Sequence, residues 1–481
     1  MEKSIAGSVA ASTIPMDEVK LCCSKDQGCC DLISQLPNDI LVNILQKLDS
    51  KSAVSTSILS RRWRHMWTFL QSLHLSEMAL PDNTSRVRLE PVSKAYFSKN
   101  KQHHFVESAQ WLTGLKSKVA LRRLSFVFSG SEECADAVSG AIASAFEHGI
   151  EDIDVAIVRD HSYQFPSWLF SGERGSSLTS LCLSFCKLSV PLNFRGFSSL
   201  TKLALIRMNM NLKEIQLALA SCPNLVILHL VRMFDIRSIQ LPKLKELVWN
   251  WCPPSDEVQI DTPALQRLEY YGEMFPLSSF KCIPCLEHVS LLYDDYDDPV
   301  YHAKKLENIS SFFPHVRSLF LRYEIPKFVR PRKLSIFSNL KVLTLNINTK
   351  SSDDLLWMLM FVVAAPCLET LRTTVRYLSL FESNNGVVWA DHNFEHNNLK
   401  EVQMYNFMGR DNEIIFARLL LRRAPNLRSM AFSQAPLCEA DDRQLLSPDW
   451  CRAEVFSPRD NQFVVSKLFE GVSSGAHVLF M

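Results

Sequence analysis

The sequence predicts an α/β fold, in which an N-terminal three-helix unit is followed by an irregular solenoid of parallel strands. Three observations support this prediction: a dense apolar stretch with helical spacing near the N-terminus, an apolar pattern that recurs through the rest of the chain, and prolines that punctuate each copy. In such a solenoid the strands are expected on the concave side, and the helices and loops on the convex side.

Composition narrows the functional classes. The 481 residues carry 52 basic and 51 acidic side chains, so the net charge of +1 gives no field that attracts nucleic acid or an anionic membrane. The fourteen cysteines, with no apolar signal segment in residues 1–10, favour reduced thiols. The longest apolar run, 355–365, is too short to cross a bilayer and predicts a buried helix. We therefore expect a nuclear and/or cytoplasmic protein with no nucleic-acid or membrane partner.

Helical periodicity begins at residue 36. The preceding residues 1–30 are rich in small and polar types, which predicts a flexible tail. Pro37 fits the first turn of a helix, and Asp39 beside it is favoured by the helix dipole. The broad apolar face that follows consists of Ile40, Leu41, Ile44, Leu45 and Leu48. A short second helix carrying Val54 and a third carrying Leu59, Trp63 and Leu70 complete the unit. So small a unit rarely hides this much apolar surface alone, and part of it is predicted to contact a partner.

The second half of the chain repeats the pattern apolar-x-x-apolar-x-apolar. Its copies include Leu178-Leu181-Leu183, Leu200-Leu203-Leu205 and Leu225-Leu228-Leu230, whose starts lie 22 and 25 residues apart, as in leucine-rich repeats. Proline commonly stands two residues before a copy, where it ends the preceding element. The segments before Pro223, Pro366 and Pro425 have helix-forming composition and apolar stripes, so each repeat is predicted as a strand plus a helix or irregular return.

Residues that alternate with the apolar repeat positions are candidates for binding, because strand side chains point to opposite faces with a period of two. The side chains expected on the concave side are His229, Val231, Val248, Asn250, Arg267, Glu269, Tyr271, Phe320, Arg322, Arg372, Gln403 and Tyr405. Those expected to contact a target protein are His229, Asn250, Arg267, Glu269, Tyr271, Phe320, Arg322 and Tyr405.

Two segments resemble known families. Leu36 to Leu70 resembles the F-box, with which receptors dock onto the Skp-type adaptor of cullin-based (SCF) ubiquitin ligases, and His396 to Phe432 resembles the FBD region of plant F-box proteins with leucine-rich repeats. The resemblance implies that Leu59 and Trp63 brace the helices of the unit. It implies an adaptor-binding surface formed mainly by Leu36, Pro37, Ile40, Leu41, Ile44 and Leu45, which also includes Leu48, Val54, Leu59 and Trp63.

The resulting domain prediction is continuous along the chain. Its parts are a tail at 1–30, the F-box at 31–76, a linker and connecting helix at 77–115, leucine-rich repeats at 116–395, an FBD region with the last repeats at 396–432, and a C-terminal region at 433–481.

Three local motifs have alternative interpretations. The basic cluster Arg61, Arg62, Arg64 and His65 can be interpreted as a nucleic-acid patch, but its interleaved apolar residues favour the solvated face of an amphipathic helix. The segment CIPC, from Cys282 to Cys285, has zinc or redox spacing but precedes a strand and lacks a second cysteine pair. The acidic segment from Tyr293 to Tyr301 lacks the ligand spacing of a calcium loop. No metal site, cofactor or catalytic residue is predicted.

The leading hypothesis is a non-catalytic substrate receptor of an SCF ubiquitin ligase. The N-terminal helices hold the Skp-type adaptor and through it a cullin, and the repeats hold a target protein that the sequence does not identify. Two alternatives stay open: an adaptor-bound interaction scaffold, and a small-molecule-dependent receptor without its own role in ubiquitination. An enzyme is the least favoured class, because nucleotide-binding loops and nucleophile motifs are missing from the sequence.

Overall fold

A long parallel sheet runs through the described part of the chain, beside a second, short one. The computed structural model describes residues 36–48, 52–53, 56, 59, 62–63, 66, 69–77, 99–113, 121–158, 162–171, 177–252, 258–272, 280–293, 307, 309–323, 334–349, 355–377, 394–435 and 458–481. The tail predicted for residues 1–30 lies outside these ranges, as do most residues of the predicted second and third helices.

Strands β1 to β18 follow one another with helices or irregular segments between them. Their bounds are β1 Ser72–Ser76, β2 Arg123–Phe128, β3 Asp152–Ile157, β4 Ser180–Ser184, β5 Lys202–Ile206, β6 Ile227–Val231, β7 Ser238–Gln240, β8 Glu246–Asn250, β9 Gln259–Asp261, β10 Arg267–Gly272, β11 Phe280–Cys282, β12 His288–Tyr293, β13 Ser318–Tyr323, β14 Val342–Thr349, β15 Thr370–Tyr377, β16 Glu401–Tyr405, β17 Ser429–Ser433 and β18 His477–Phe480. Within the described residues, fifteen of these strands form one sheet in the order β1-β2-β3-β4-β5-β6-β8-β10-β12-β13-β14-β15-β16-β17-β18, while β7, β9 and β11 form a second, short sheet.

The α-helices lie between strands or before the first of them. Their bounds are α1 Asn38–Leu45, α2 Lys99–Thr113, α3 Glu132–Glu147, α4 Leu212–Ala220, α5 Ile309–Phe312, α6 Leu359–Val363, α7 Asp411–Arg423 and α8 Pro458–Leu468. Short 3-10 helices cover Ser167–Ser171 and Leu356–Met358. The helices predicted before Pro223, Pro366 and Pro425 are confirmed as α4, the 3-10 turn with α6, and α7.

The apolar repeat positions form the core, as the pattern predicted. In each strand they share one register, so that Leu203, Leu228 and Leu247 are paired across β5, β6 and β8. Leu228 and Leu343 are completely buried. One continuous hydrophobic cluster runs from α1 to α8, which means that the N-terminal helical unit packs onto the sheet instead of standing apart from it.

Asparagine side chains tie consecutive repeats together immediately before the first apolar position. Asn224 Nδ2 donates to the carbonyl oxygen of Ser198 at 2.8 Å, and Asn339 Nδ2 donates to that of Pro314 at 2.9 Å. Asn398 and Asn426 make the same kind of bond to Pro366 and Asn397. These carbonyl groups lie in a turn of the preceding repeat and are not paired within the sheet. Each asparagine therefore supplies a hydrogen-bond donor to such a carbonyl group and links two repeats.

The sheet is longer than predicted at both ends. Strand β1 lies inside the predicted F-box limits, yet it pairs in parallel with β2, and Leu70, Leu73 and Leu75 form a copy of the repeat pattern. At the other end β18 pairs with β17, although Gly475 stands where Leu427 opens the previous copy. The repeat architecture therefore extends from residue 72 to residue 480.

Gly196 offers a test of how tightly the repeats pack. A Cβ at this position overlaps the carbonyl oxygen of Phe170 and lies 2.5 Å from Cζ of Phe194. We expect Gly196→Ala to lower the free energy of unfolding by about 1–3 kcal/mol, measured by chemical denaturation, because backbone cannot move aside cheaply. Gly475→Ala is the matched control, since a Cβ there has nothing within 4 Å. Equal stability of the two variants contradicts the packing described.

Among the described residues, none of the helices is both long and apolar enough to cross a membrane.

Candidate functional site

Helix α1 presents an apolar stripe to solvent. Ile40, Ile44 and Leu48 are 44%, 37% and 41% exposed, and Pro37 at the N-terminus of the helix is exposed as well. Spacings of three and four residues place Pro37, Ile40 and Ile44 on one side of the helix, and Leu48 lies just beyond it, in the turn that follows Leu45. A large, aligned apolar surface of this kind is typical of a protein contact.

The neighbouring side of α1, about 100° around the helix axis, belongs to the core. Leu41 and Leu45 are completely buried and lie in the hydrophobic cluster that also contains Ala53, Trp63 and Met66. The prediction that Leu41 and Leu45 form part of the adaptor-facing surface is therefore wrong. The 3.6-residue period divides the predicted broad face in two, and these two leucines take the inner half.

The remaining residues of the predicted N-terminal surface differ in placement. Leu36 is half-buried and packs against the core, and Trp63 is buried, which fits its predicted bracing role. Leu59 is 64% exposed, so it does not brace the helices as predicted, but it stays accessible for the adaptor contact that was also predicted. The burial of Trp63 leaves it inaccessible for such a contact in this conformation. Val54 lies outside the described residues.

Arg62 connects the later part of the helical unit to α1. Its Nε and Nη2 atoms donate to Oδ1 of Asn38 at 3.1 and 2.6 Å. This contact gives Arg62 a local structural partner, in line with the amphipathic-helix interpretation of the basic cluster. Arg61, Arg64 and His65 lie outside the described residues.

The outward face of the sheet carries the side chains that alternate with the core positions. Several of the predicted target-binding residues lie there as half-buried polar pairs. His229 Nε2 lies 3.3 Å from Oε1 of Glu246, and this hydrogen bond holds the pKa of the Glu246 carboxyl below its usual range. Asn250 Nδ2 donates to Oε1 of Glu269 at 3.0 Å.

The other predicted residues on this face divide into accessible and inaccessible groups. Arg267 is exposed, Tyr271 is half-buried, and Tyr405 donates its hydroxyl to Oε1 of Gln403 at 3.0 Å; the same oxygen accepts from Nε of Arg372. Phe320 and Arg322 are only 6% and 5% exposed, so their prediction as target-contacting side chains is wrong for this conformation. Val231 and Val248 are buried too. A period of two predicts the face on which a side chain lies but not how far that side chain is buried.

Four residues with left-handed backbone conformation directly follow strands, and the sequence analysis did not identify them. Phe185, Arg207, Arg232 and Trp251 have φ values of 59°, 49°, 51° and 54°, and each comes directly after β4, β5, β6 or β8. A strict period of two directs these residues toward the core, but the left-handed turn changes the direction of their side chains. Their position two residues after the last apolar position of each copy is the signal that identifies them.

Comparisons with known proteins agree with this architecture. Residues 33–75 match the family model of the F-box domain, and residues 115–447 match that of the At1g61320/AtMIF1 LRR domain, which is more than half of the chain. The chain belongs to the F-box proteins with leucine-rich repeats. The F-box of the family model therefore contains α1 and most of β1, and its repeat domain contains β2 to β17.

Relatives carry the same combination of domains. The F-box/FBD/LRR-repeat protein At1g13570 of Arabidopsis thaliana is 24% identical over 447 residues, covering 89% of this chain and 97% of the relative, and its name includes the FBD region predicted for residues 396–432. The Arabidopsis F-box/LRR-repeat protein At4g14096 is 29% identical over 256 residues, or 50% of each chain. The chain thus spans about half the length of this relative and of a second F-box/LRR-repeat protein, At3g59230.

A structural comparison also found a crystal structure of an internalin from Listeria monocytogenes. It is similar at a TM-score of 0.30 with 13% identity, covering 87% of this chain and 94% of the other. A score this low does not support an argument about fold or function.

Other motifs of this F-box protein have no assembled site among the described residues. No group of three metal-ligating side chains occurs there. Cys285 is an exposed free thiol in the turn after β11, consistent with the structural interpretation of the CIPC segment. The acidic segment after Tyr293 lies outside the described residues. His103 and His104 are exposed on α2 and lie near Glu107, as expected of a surface pair.

Proposed function

We propose that this chain is the substrate-recognition subunit of an SCF ubiquitin ligase, with a Skp-type adaptor on its F-box and a target protein on its repeats. The observation that carries the proposal is the exposed stripe of Ile40, Ile44 and Leu48 on the F-box, beside Leu41 and Leu45, which pack into the core. A stripe that is folded in place yet open to solvent is suited to docking on a second protein.

The role of this subunit is to bring two partners close together. It holds lysines of the target near a ubiquitin-conjugating enzyme that the cullin recruits, and it does not itself form or break a covalent bond. The polar and aromatic outward face of the sheet supports this role, because aromatic and arginine side chains are the usual anchors of protein interfaces. We place this function in the nucleus and/or cytoplasm, with neither nucleic acid nor membrane as a partner.

Immunoprecipitation of the tagged full chain tests the proposal. We expect the adaptor and a cullin to be recovered together, and proximity-labelled proteins carrying ubiquitin to accumulate when the proteasome is inhibited. Recovery of the adaptor without a cullin and without ubiquitinated neighbours would instead identify an adaptor-bound scaffold. Failure to recover an adaptor at all would overturn the proposal.

A further inference from the structure

Two arginines occupy the same structural position in adjacent repeats. Arg207 follows β5 and Arg232 follows β6, both with left-handed backbone. The Arg207 N–H donates to the carbonyl oxygen of Val231, and the Arg232 N–H donates to that of Asn250, each at 2.8 Å. These bonds fix the two arginines side by side at the ends of neighbouring strands.

Each guanidinium rests on an aromatic ring. Cζ of Arg207 lies 5.1 Å from the centroid of Phe185, and Cζ of Arg232 lies 5.7 Å from the ring centroid of Trp251. The Trp251 ring is in turn 4.5 Å from that of Tyr271. The two cations therefore lean in opposite directions, toward β4 and toward β8, and both are held in place by cation–π contacts.

Neither guanidinium forms an ion pair within the part of the chain that the structure describes. Other arginines of the sheet do: Arg123 Nε lies 2.7 Å from Oδ2 of Asp152. Glu246 and Glu269, two carboxylates on the same outward face of the sheet, are engaged by His229 and Asn250. Nη2 of Arg207 is buried without a hydrogen-bond acceptor. Two half-buried, adjacent positive charges without a counter-charge are unfavourable in the free protein, and an arriving anion relieves this repulsion.

The backbone adds independent support. A left-handed conformation is strained for arginine, phenylalanine and tryptophan, and glycine at these positions removes the strain. At the four such positions that directly follow β4, β5, β6 and β8, the chain nevertheless carries Phe185, Arg207, Arg232 and Trp251. Strain that is maintained at one surface position in successive repeats indicates that these particular side chains are used.

We propose that Arg207 and Arg232, with Phe185, Trp251 and Tyr271, bind acidic side chains of an extended segment of the target protein. This inference rests on the proposed function and specifies which class of target segment the repeats recognise. The planar guanidinium is suited to a carboxylate, which it can bind through two parallel hydrogen bonds. An apolar floor formed by Cys182, Ala204, Ile206 and Val231 lies on the same face and strengthens such contacts by excluding water.

The size of the surface favours a peptide over a small anion. Five strands, β4-β5-β6-β8-β10, lie between Phe185 and Tyr271 inclusive. At about 4.8 Å between neighbouring strands, this surface is about 19 Å wide, which accommodates several residues of an extended chain. Aromatic rings on both sides of the arginine pair provide contacts for residues that flank the acidic ones.

Selection from a phage-displayed library of random twelve-residue peptides tests the inference on the full chain purified with its adaptor. We expect the wild-type protein to enrich peptides with Asp or Glu beside an apolar or aromatic residue. The double variant Arg207→Gln with Arg232→Gln should abolish that enrichment. It should also lower the affinity for a selected synthetic peptide at least tenfold, as measured by fluorescence anisotropy. Arg207→Glu with Arg232→Glu should instead enrich peptides that carry Lys or Arg.

The matched control is Arg122→Gln with Arg123→Gln, which removes the same charge from exposed arginines that pair with Glu151 and Asp152. It should retain the wild-type enrichment, and all variants should keep the wild-type melting temperature within a few degrees. Wild-type protein that enriches no acidic peptide, a glutamine pair that selects as wild type does, or binding restricted to phosphoserine versions of the peptides would each overturn the inference. Adaptor recovery in the same samples reports separately on the proposed function.

Discussion

Replacing Ile40 and Ile44 together by alanine is expected to reduce adaptor affinity about 30- to 1000-fold. Both side chains are exposed on the outer side of α1, so their truncation removes interface contacts without opening a cavity in the core. Loss of two central apolar anchors corresponds to about 2–4 kcal/mol of binding free energy. Titration calorimetry of the purified chain with the adaptor measures this change, and the melting temperature should stay close to that of the wild type.

Leu192→Ala with Ile336→Ala provides the control for this double variant. These side chains are also exposed and apolar, but they lie on segments of the repeat domain far along the sequence from α1. Adaptor affinity should therefore not change. Undiminished adaptor binding by the Ile40 and Ile44 variant would remove this stripe from the docking surface and shift attention to Leu36 and Leu59.

Leu228→Asp is expected to unfold the repeat domain, and Leu343→Asp should have the same effect. Each leucine is completely buried at the middle apolar position of its repeat, with core leucines beside it in the neighbouring strands. An unpaired carboxylate there must either be protonated or lose its hydration, at a cost of several kcal/mol. This cost is comparable to the free energy of unfolding of a typical domain, about 5–15 kcal/mol. Loss of the cooperative thermal transition, seen by circular dichroism, is the expected result.

Gln266→Asp tests whether burial, and not charge itself, causes this unfolding. Gln266 is exposed and lies two residues before the buried Leu268. The substitution should change the melting temperature by only a few degrees, because the new carboxylate keeps its hydration. A folded, cooperative Leu228→Asp protein would show that the strand register described is wrong.

Local patterns were sufficient for much of the architecture. The spacing of Leu178, Leu181 and Leu183, repeated along the chain, predicted the parallel strands, and the prolines predicted where the returning helices end. These predictions hold because a buried strand needs the same alternation in every copy, and a proline ends a helix whatever surrounds it. Strand β18 was missed because Gly475 removes the first apolar residue of its copy, and β1 because Leu70 also fits a helical stripe.

The sequence by itself determined most strands of the long sheet, the helices before Pro223, Pro366 and Pro425, and which residues of the repeat pattern form the core, since these follow from periodicity and propensity within each repeat. Only the tertiary structure decided that Ile40 and Ile44 are open while Leu41 and Leu45 are buried, and that Phe320 and Arg322 are enclosed. It alone brought Arg207 and Arg232 together beside Phe185 and Trp251. Exposure depends on which neighbours pack against a face, and the direction of a left-handed residue depends on the strand that binds its N–H, so neither property is encoded in spacing along the chain.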